Sequence, residues 1–522
     1  MRKILVLLIA LIAGVAFMAY LYFSKLNNEN NAKDLALQSA TNNASVIFAF
    51  QNDKSFYQII EGQGLLQQVL GTQKTSFLRN LKESIVNDNA LNGFIVDEKI
   101  YLSILPDEQK ELNFLITTQI LVDKDFKQLN QLLNKETELT AIKKDVYKIN
   151  FNDSLSIFIG VQNQVLTAST SLKLIDDASI RLTENPFTDY INKNNLLNKN
   201  VLAHLYLNFN HAPEALKKII AGNLNGEISF LNKQNSFASL TYNFSKEKIL
   251  FSGTSEFVAT DNYLKIFEND VPQAISITNL LPNNTANYSL FAYSDYKLWN
   301  KKLNNWQLLI QETNKTEGTI NSVKNNYRVD LKSIFLPYVK NQFISFQLST
   351  TEKLGAITLS NGEKVKQLLL DVSADYSDEI KIFKSPNILY SFFGEPFKKF
   401  ERPYYTIVDN NLVFANNVST VQSFLNSYKN NKLLIQDASY QDALNQLSTT
   451  SNISYYINLK NSADIFRSNI TLPYYKHLKA EGGLKSFDTF YYQMIADKDK
   501  FITNMLLNKY LELEIPDSLS NR

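Results

Sequence analysis

Residues 161–170 read VQNQVLTAST and residues 408–417 read VDNNLVFANN, nearly the same phrase at two distant places in one chain. Three more matches fall in the same order. Residues 46–50 (VIFAF) answer 289–293 (SLFAY), and residues 200–207 (NVLAHLYL) answer 452–459 (NISYYINL). Ser236-Phe237 answers Ser486-Phe487, each opening two strand-like runs around a charged turn (SKEK, ADKD). One match would be chance in a chain rich in Asn and Lys. Four collinear matches, separated by about 243 to 252 positions, indicate an internal duplication. That period is far longer than the roughly 20–50 residues of a solenoid or propeller unit. Each half is therefore a domain, or half of one pseudo-symmetric body. The expected limits are 34–270 for the first repeat and 271–522 for the second, after an anchor at 1–25 and a polar, Asn-rich tether at 26–33.

Within each half two periodicities mix. KINFNDSLSIFIG (148–160) and SFASLTYNF (236–244) alternate apolar and polar residues, as strands with one wet face do. Such alternation belongs to antiparallel sheets. Helical spacing marks 125–135, 211–222, 295–311 and 362–372, with Pro213 and Gly222 placed as helix punctuation. Short helices are also expected at 185–197 and 439–450. The fold class is α+β: an internally duplicated body of large antiparallel sheets with packed helices, preceded by one N-terminal transmembrane helix.

That helix is read from residues 4–23, which carry no charge. Twenty such residues span roughly 30 Å, the thickness of a hydrocarbon core. Ile4, Leu5, Leu7, Leu8, Ile9, Leu11, Ile12, Phe17, Leu21 and Phe23 are its apolar contacts. Arg2 and Lys3 precede it, so the charge bias leaves the N-terminus in the cytoplasm and the body in the periplasm of a single-pass inner-membrane protein. The alternative is a cleaved signal that exports the body. Its apolar region would be shorter and would end in small residues, whereas this one ends in Tyr20, Leu21, Tyr22 and Phe23.

The stretch 250–295 contains LFSGTSEF and then DNYLKIFENDVPQAISITNLLPNNTANYSLFAYSD. With its Gly253 hairpin exit, its Tyr263–Phe267 helix and its Leu280-Leu281-Pro282 turn, and behind a membrane anchor, it resembles the DUF3352-type envelope proteins of the Bacteroidota. The resemblance implies an exported, membrane-anchored body. It implies no activity and no site residue.

The chemistry of the side chains narrows the function classes. The 522 residues include no cysteine, which removes disulfides, thiolate nucleophiles and cysteine-held metals. Lys and Arg number 53 against 51 Asp and Glu, and no basic stripe invites nucleic acid. His204, His211 and His477 are the three histidines, read as surface or element-end residues. No HExxH, GxSxG or phosphate-loop motif occurs. Asp176-Asp177 and Glu136-Thr137-Glu138 read as solvated carboxylates. No catalytic residue, metal or cofactor is expected.

Two aromatic groups stand out. Trp299 and Trp306, seven apart in one helix, are either a core stripe or a partner-facing patch. FFGEPFKKFERPYY (392–405) is either a crossing whose rings plug the core or a surface lying against membrane or glycan. Trp299, Trp306, Phe397, Phe400 and Tyr404 are accordingly the candidate interaction surface. Three functions follow from different classes. The first is a non-enzymatic, membrane-anchored scaffold or interaction module on the extracytoplasmic side, partnered by the membrane and an envelope protein or lipid. The second is a carrier or sensor of an apolar ligand such as lipid. The third is a glycan hydrolase with dispersed carboxylates.

Overall fold

The two quoted phrases are two copies of one turn. Gln162 pairs with Val165 across Asn163-Gln164, and Val408 pairs with Asn411 across Asp409-Asn410. The contact each turn makes with its neighbour recurs as well. Gln164 O accepts from Ile120 N at 2.9 Å, and Asn410 O accepts from Leu359 N at 2.7 Å.

The computed structural model describes residues 34–82, 87, 92–95, 98–107, 112–121, 139–152, 155–180, 184–195, 201–221, 235–245 and 248–509. The anchor residues 4–23 and the expected helix at 125–135 lie outside that set. Among the described residues no helix is long and apolar enough to cross a membrane. The strands of the first half are β1 (Val46–Gln51), β2 (Lys99–Pro106), β3 (Leu112–Gln119), β4 (Leu139–Lys143), β5 (Val146–Asn152), β6 (Leu155–Gln162), β7 (Val165–Ser169), β8 (Ala203–Asn208), β9 (Ser236–Phe244) and β10 (Lys248–Phe257). Those of the second are β11 (Gln273–Ala274), β12 (Thr285–Ala292), β13 (Val339–Leu348), β14 (Lys353–Leu359), β15 (Ser373–Asp375), β16 (Lys381–Phe383), β17 (Tyr404–Val408), β18 (Asn411–Ala415), β19 (Thr450–Ser451), β20 (Ile453–Asn458), β21 (Phe487–Asp497) and β22 (Lys500–Lys509).

Pairing in the first half runs β4-β5-β6-β7-β3-β2-β1-β8-β9-β10, antiparallel throughout. In the second it runs β15-β16-β17-β18-β14-β13-β12-β20-β21-β22, again antiparallel throughout. The two orders are the same path traced twice. Strands β10 and β22 then pair with each other, so one 20-stranded sheet replaces the several sheets expected; β11 and β19 form a separate two-stranded piece.

The β10–β22 register shows how the halves are related. Ser252 lies opposite Asn504. Ser252 also faces Thr241 of β9, as Asn504 faces Gln493 of β21. Ser252 and Asn504 thus hold the same place in their halves, and a pseudo-two-fold axis normal to the sheet passes between them. A second contact lies on the same symmetry. Ile220 and Ile470, which follow matching helices after β8 and β20, form an antiparallel bridge. Hydrogen bonding also corrects the sequence alignment. Asn52 N donates to Glu98 O as Tyr293 N donates to Asn341 O, which sets Val46 against Asn287 and not Ser289. The slip of two positions leaves every side chain on its proper face, which is why the resemblance survived it.

Helices cover both faces. On one, Lys54–Glu61, Gly64–Leu70 and Thr72–Leu81 follow β1, and Tyr296–Leu309, Thr313–Tyr327 and Leu331–Tyr338 follow β12. An Asp starts each series. Asp53 Oδ1 accepts from Phe56 N at 2.9 Å, and Asp295 Oδ1 accepts from Leu298 N at 2.8 Å. On the other face, Leu172–Ala178 and Pro186–Asn195 follow β7, while Val418–Lys429 and Ala438–Asn445 follow β18. Strand residues alternate between the two cores: Phe291, Phe343 and Phe414 face the first helical layer, and Tyr288, Tyr456 and Tyr491 face the second.

Candidate functional site

Four of the five aromatic residues expected as a contact surface are interior, and Tyr404 is half-buried. Trp299 is 0 % exposed and Trp306 5 %, and Phe397 and Phe400 are 0 % each. Trp299, Leu303 and Trp306 form the buried stripe of helix Tyr296–Leu309, and the Trp299 ring stacks on Tyr293 with centroids 4.8 Å apart. Trp306 Nε1 donates to Asp261 O at 2.8 Å, so its polar edge is satisfied inside. Phe397 and Phe400 meet the Phe414 ring edge-on at 4.8 and 5.0 Å. Their segment joins β16 to β17 and plugs the core, while Glu401 and Arg402 stay in solvent. Tyr404 is half-buried on β17, edge-on to Tyr376. Trp299, Trp306, Phe397 and Phe400 therefore offer no exposed ring face for a partner. Burial of the ring face won over exposure because the helix docks that face on Phe291 and Phe343.

The histidines are also held in place. His477 Nε2 lies 3.0 Å from Val69 O, donating to it in the matching tautomer, and links the second half to the first. Burial pushes His211 below its ordinary value. His204 sits on β8, stacked on Tyr206 at 5.7 Å, and burial with Lys99 nearby pushes its pKa down to about 4. Its imidazole is neutral at physiological pH. Asp176 is ion-paired to Lys143 on the surface. Among the described residues no three His, Asp or Glu side chains gather to hold a metal ion.

The feature that stands apart lies on the pseudo-two-fold axis. One transverse row of the sheet, on the face of the second helical layer, reads His204, Thr241, Ser252, Asn504, Gln493, Ser454. The next reads Tyr206, Ser239, Thr254, Ile502, Ile495. Helix Pro186–Asn195 lies over β9, with Phe187 stacked on Phe237 at 5.4 Å. Its counterpart Ala438–Asn445 lies over β21, where Tyr440 meets Tyr491. Between them, on this face, no described helix lies over β10 or β22. Thr241, Ser252, Thr254 and Asn504 are half-buried, and Ile502 is 43 % exposed in mid-sheet. Strands β9 and β21 are three strand spacings apart, about 14 Å, so the opening between two helices suits one extended chain.

Each helix reaches across one end of this strip. Tyr190 OH donates to Thr254 O at 3.3 Å and Lys193 pairs with Glu256 at 3.3 Å. At the opposite end Asn508 Nδ2 donates to Asp442 Oδ2 at 3.2 Å, and Lys248 Nζ donates to Gln446 Oε1. Gln493 is clamped at the wall, accepting from Ser448 N at 3.1 Å and donating to Ser448 O at 2.8 Å. The floor is thus a set of hydroxyls and amides on a rigid ladder. It can donate and accept hydrogen bonds and holds no paired carboxylates. Sequence reading passed over these residues. Their signal was the alternation Leu250, Ser252, Thr254 and Ile502, Asn504, Leu506, which shows its meaning only once β10 is paired with β22. A separate pocket beside Ser39, Gln162, Asn163 and Ile175 has about 20 Å³ of water-accessible space, room for one water.

Residues 347–474 match the family described as "Protein of unknown function (DUF3352)". The match supports the DUF3352 type, on a stretch different from residues 250–295. It runs from the end of β13 into helix Leu472–Lys479 and takes in neither β10 nor β22. No curated protein and no solved structure matches the chain.

Proposed function

We propose that this chain is a non-enzymatic binding module of a bacterial envelope of the Bacteroidota kind. In this reading residues 4–23 tether it to the inner membrane, and the polar strip on the pseudo-two-fold axis is its contact surface on the periplasmic side. One observation carries the reading. Among the described residues, two symmetry-related helices leave uncovered the central strands of a sheet whose other helix-facing surfaces are filled with apolar side chains. A mid-sheet isoleucine 43 % exposed, ringed by Thr254, Ser252 and Asn504, is a surface shaped to be covered.

Site-specific photo-crosslinking of the full chain in its own envelope tests this. A photoreactive residue at Ser252 should give a discrete adduct, while one at Glu317, on the helical layer of the opposite face, should not. Equal labelling at both positions, or none at Ser252, would remove the strip as the contact surface.

A further inference from the structure

We propose that the occupant of the strip is an uncharged glycan chain. The inference rests on the strip being the contact surface and adds what binds there. Three features of the floor lead to it.

The first is backbone saturation. Strand β10 is paired on both sides, with β9 and β22, and β22 is paired with β10 and β21. No ladder edge is open there, so a polypeptide cannot bind by adding a strand, the usual way an extended peptide is held by a sheet. Whatever lies on the strip must be recognised through side chains alone.

The second is the kind of side chain offered. Thr241, Ser252, Thr254 and Asn504 present hydroxyls and an amide, each able to donate and to accept. Sugar hydroxyls have the same dual character and match such a surface group for group. Leu250 and Ile502, counterparts across the axis, flank the polar row with small apolar areas. Those areas suit the C–H faces of a pyranose ring.

The third is charge. The open floor has no ionised side chain. Cations and anions balance at the two ends: Lys193 with Glu256 and Lys500 opposite Asp497 at one, Lys248 and Asp442 at the other. An acidic polymer finds no net positive field here, and an acidic cargo would meet Glu256 and Asp442 on the way in. An uncharged chain loses nothing at either end.

The test uses the full chain in detergent with named probes: chitohexaose, maltohexaose and cellohexaose as neutral oligosaccharides, a hyaluronan hexasaccharide as the acidic one, and an uncharged decapeptide. Saturation-transfer difference NMR with titration reads binding. At least one neutral hexasaccharide should bind saturably, and Ser252→Trp, which fills the opening, should weaken it tenfold or more. Because a tryptophan there could disturb the sheet, Asn504→Ala serves as the milder variant, expected to weaken binding several-fold with an unchanged melting temperature. Glu317→Gln should change nothing. Binding that survives both strip variants, binding by the acidic probe or the peptide alone, or no binding by any probe would each overturn the glycan assignment. A Ser252 crosslink to an envelope protein with no saccharide binding would leave the contact surface standing and remove only the glycan.

Discussion

The two halves trace one strand order and fill it differently. In the first, Ile116 of β3 faces Ala168 of β7; in the second, the matching pair is Gly355 of β14 and Phe414 of β18. The bulk has moved from one strand to its neighbour. A Cβ on Gly355 would stand 2.4 Å from the Phe414 ring and 3.1 Å from that of Phe397, so the glycine is what lets the ring lie flat on the sheet. The connections differ in the same place. Asn152 of β5 pairs with Leu155 of β6, only three positions on, whereas β16 and β17 are joined by the segment that brings in Phe392, Phe393, Phe397 and Phe400. The hydrogen-bonded path is common to both halves, while the element that supplies the volume differs.

The comparison breaks most visibly at Phe414. Phe414→Ala should destabilise the protein by about 3–5 kcal/mol, because Phe397 and Phe400 lose the ring they pack against and the segment cannot collapse onto a glycine. Guanidinium denaturation of the body reads this. If the loss is under about 1 kcal/mol, the aromatic plug is not what holds the second half. Gly355→Ile should cost about 1–3 kcal/mol by overpacking. The double variant Gly355→Ile/Phe414→Ala rebuilds the Ile–Ala pair of the first half. Its cost should fall short of the sum of the singles by about 0.5–3 kcal/mol, the coupling typical of residues in contact. Strict additivity would mean the two halves are not interchangeable at this pair.

Much of this was legible in the chain. Helices were read at 295–311 and 211–222 and lie at Tyr296–Leu309 and Ala212–Ile219, because their apolar spacing and their Asp and Pro starts are local signals. Recurrence was legible because matching side chains must face matching cores. Two things were hidden. Whether Trp299 and Trp306 face a core or a partner depends on what lies beneath the helix, and Phe291 and Phe343 come from strands about 45 residues apart in sequence order. The polar strip depends on β10 meeting β22, a pairing set by symmetry between halves that no local pattern announces.

The β6–β7 turn and its counterpart between β17 and β18 offer a smaller effect. Asn163 and Gln164 both have positive φ, 52° and 65°, whereas in the second copy only Asp409, at 49°, does so. Gln is poorly suited to the left-handed region, which costs an ordinary L-residue roughly 1–2 kcal/mol. Gln164→Gly should therefore stabilise the first half, by up to about 1 kcal/mol after the added freedom of the unfolded glycine is offset. Asn410→Gly, at a position without positive φ, should not. Equal effects at both sites would show that the two turns differ less than their dihedrals indicate.

The last effect is confined to a window of pH. His204 holds the place that Ser454 holds in the other half, and burial lowers its pKa from 6.5 to about 4. Between those values the unfolded chain binds the proton and the folded one does not, so this residue adds stability as pH rises and loses it as pH falls from 6.5 toward 4. Glu268 acts in the opposite sense. Burial raises it from 4.5 to about 7, so the folded state holds a proton that the unfolded state releases, and its contribution declines as pH rises through that range. The melting-temperature difference between His204→Ser and the parent should move in favour of the variant as pH falls from 6.5 to 4. The difference for Glu268→Gln should favour its variant as pH rises from 4.5 to 7. A His204→Ser difference that stays level with pH would mean the imidazole is as well solvated in the fold as out of it, and the row on the pseudo-two-fold axis would then be open as far as β8.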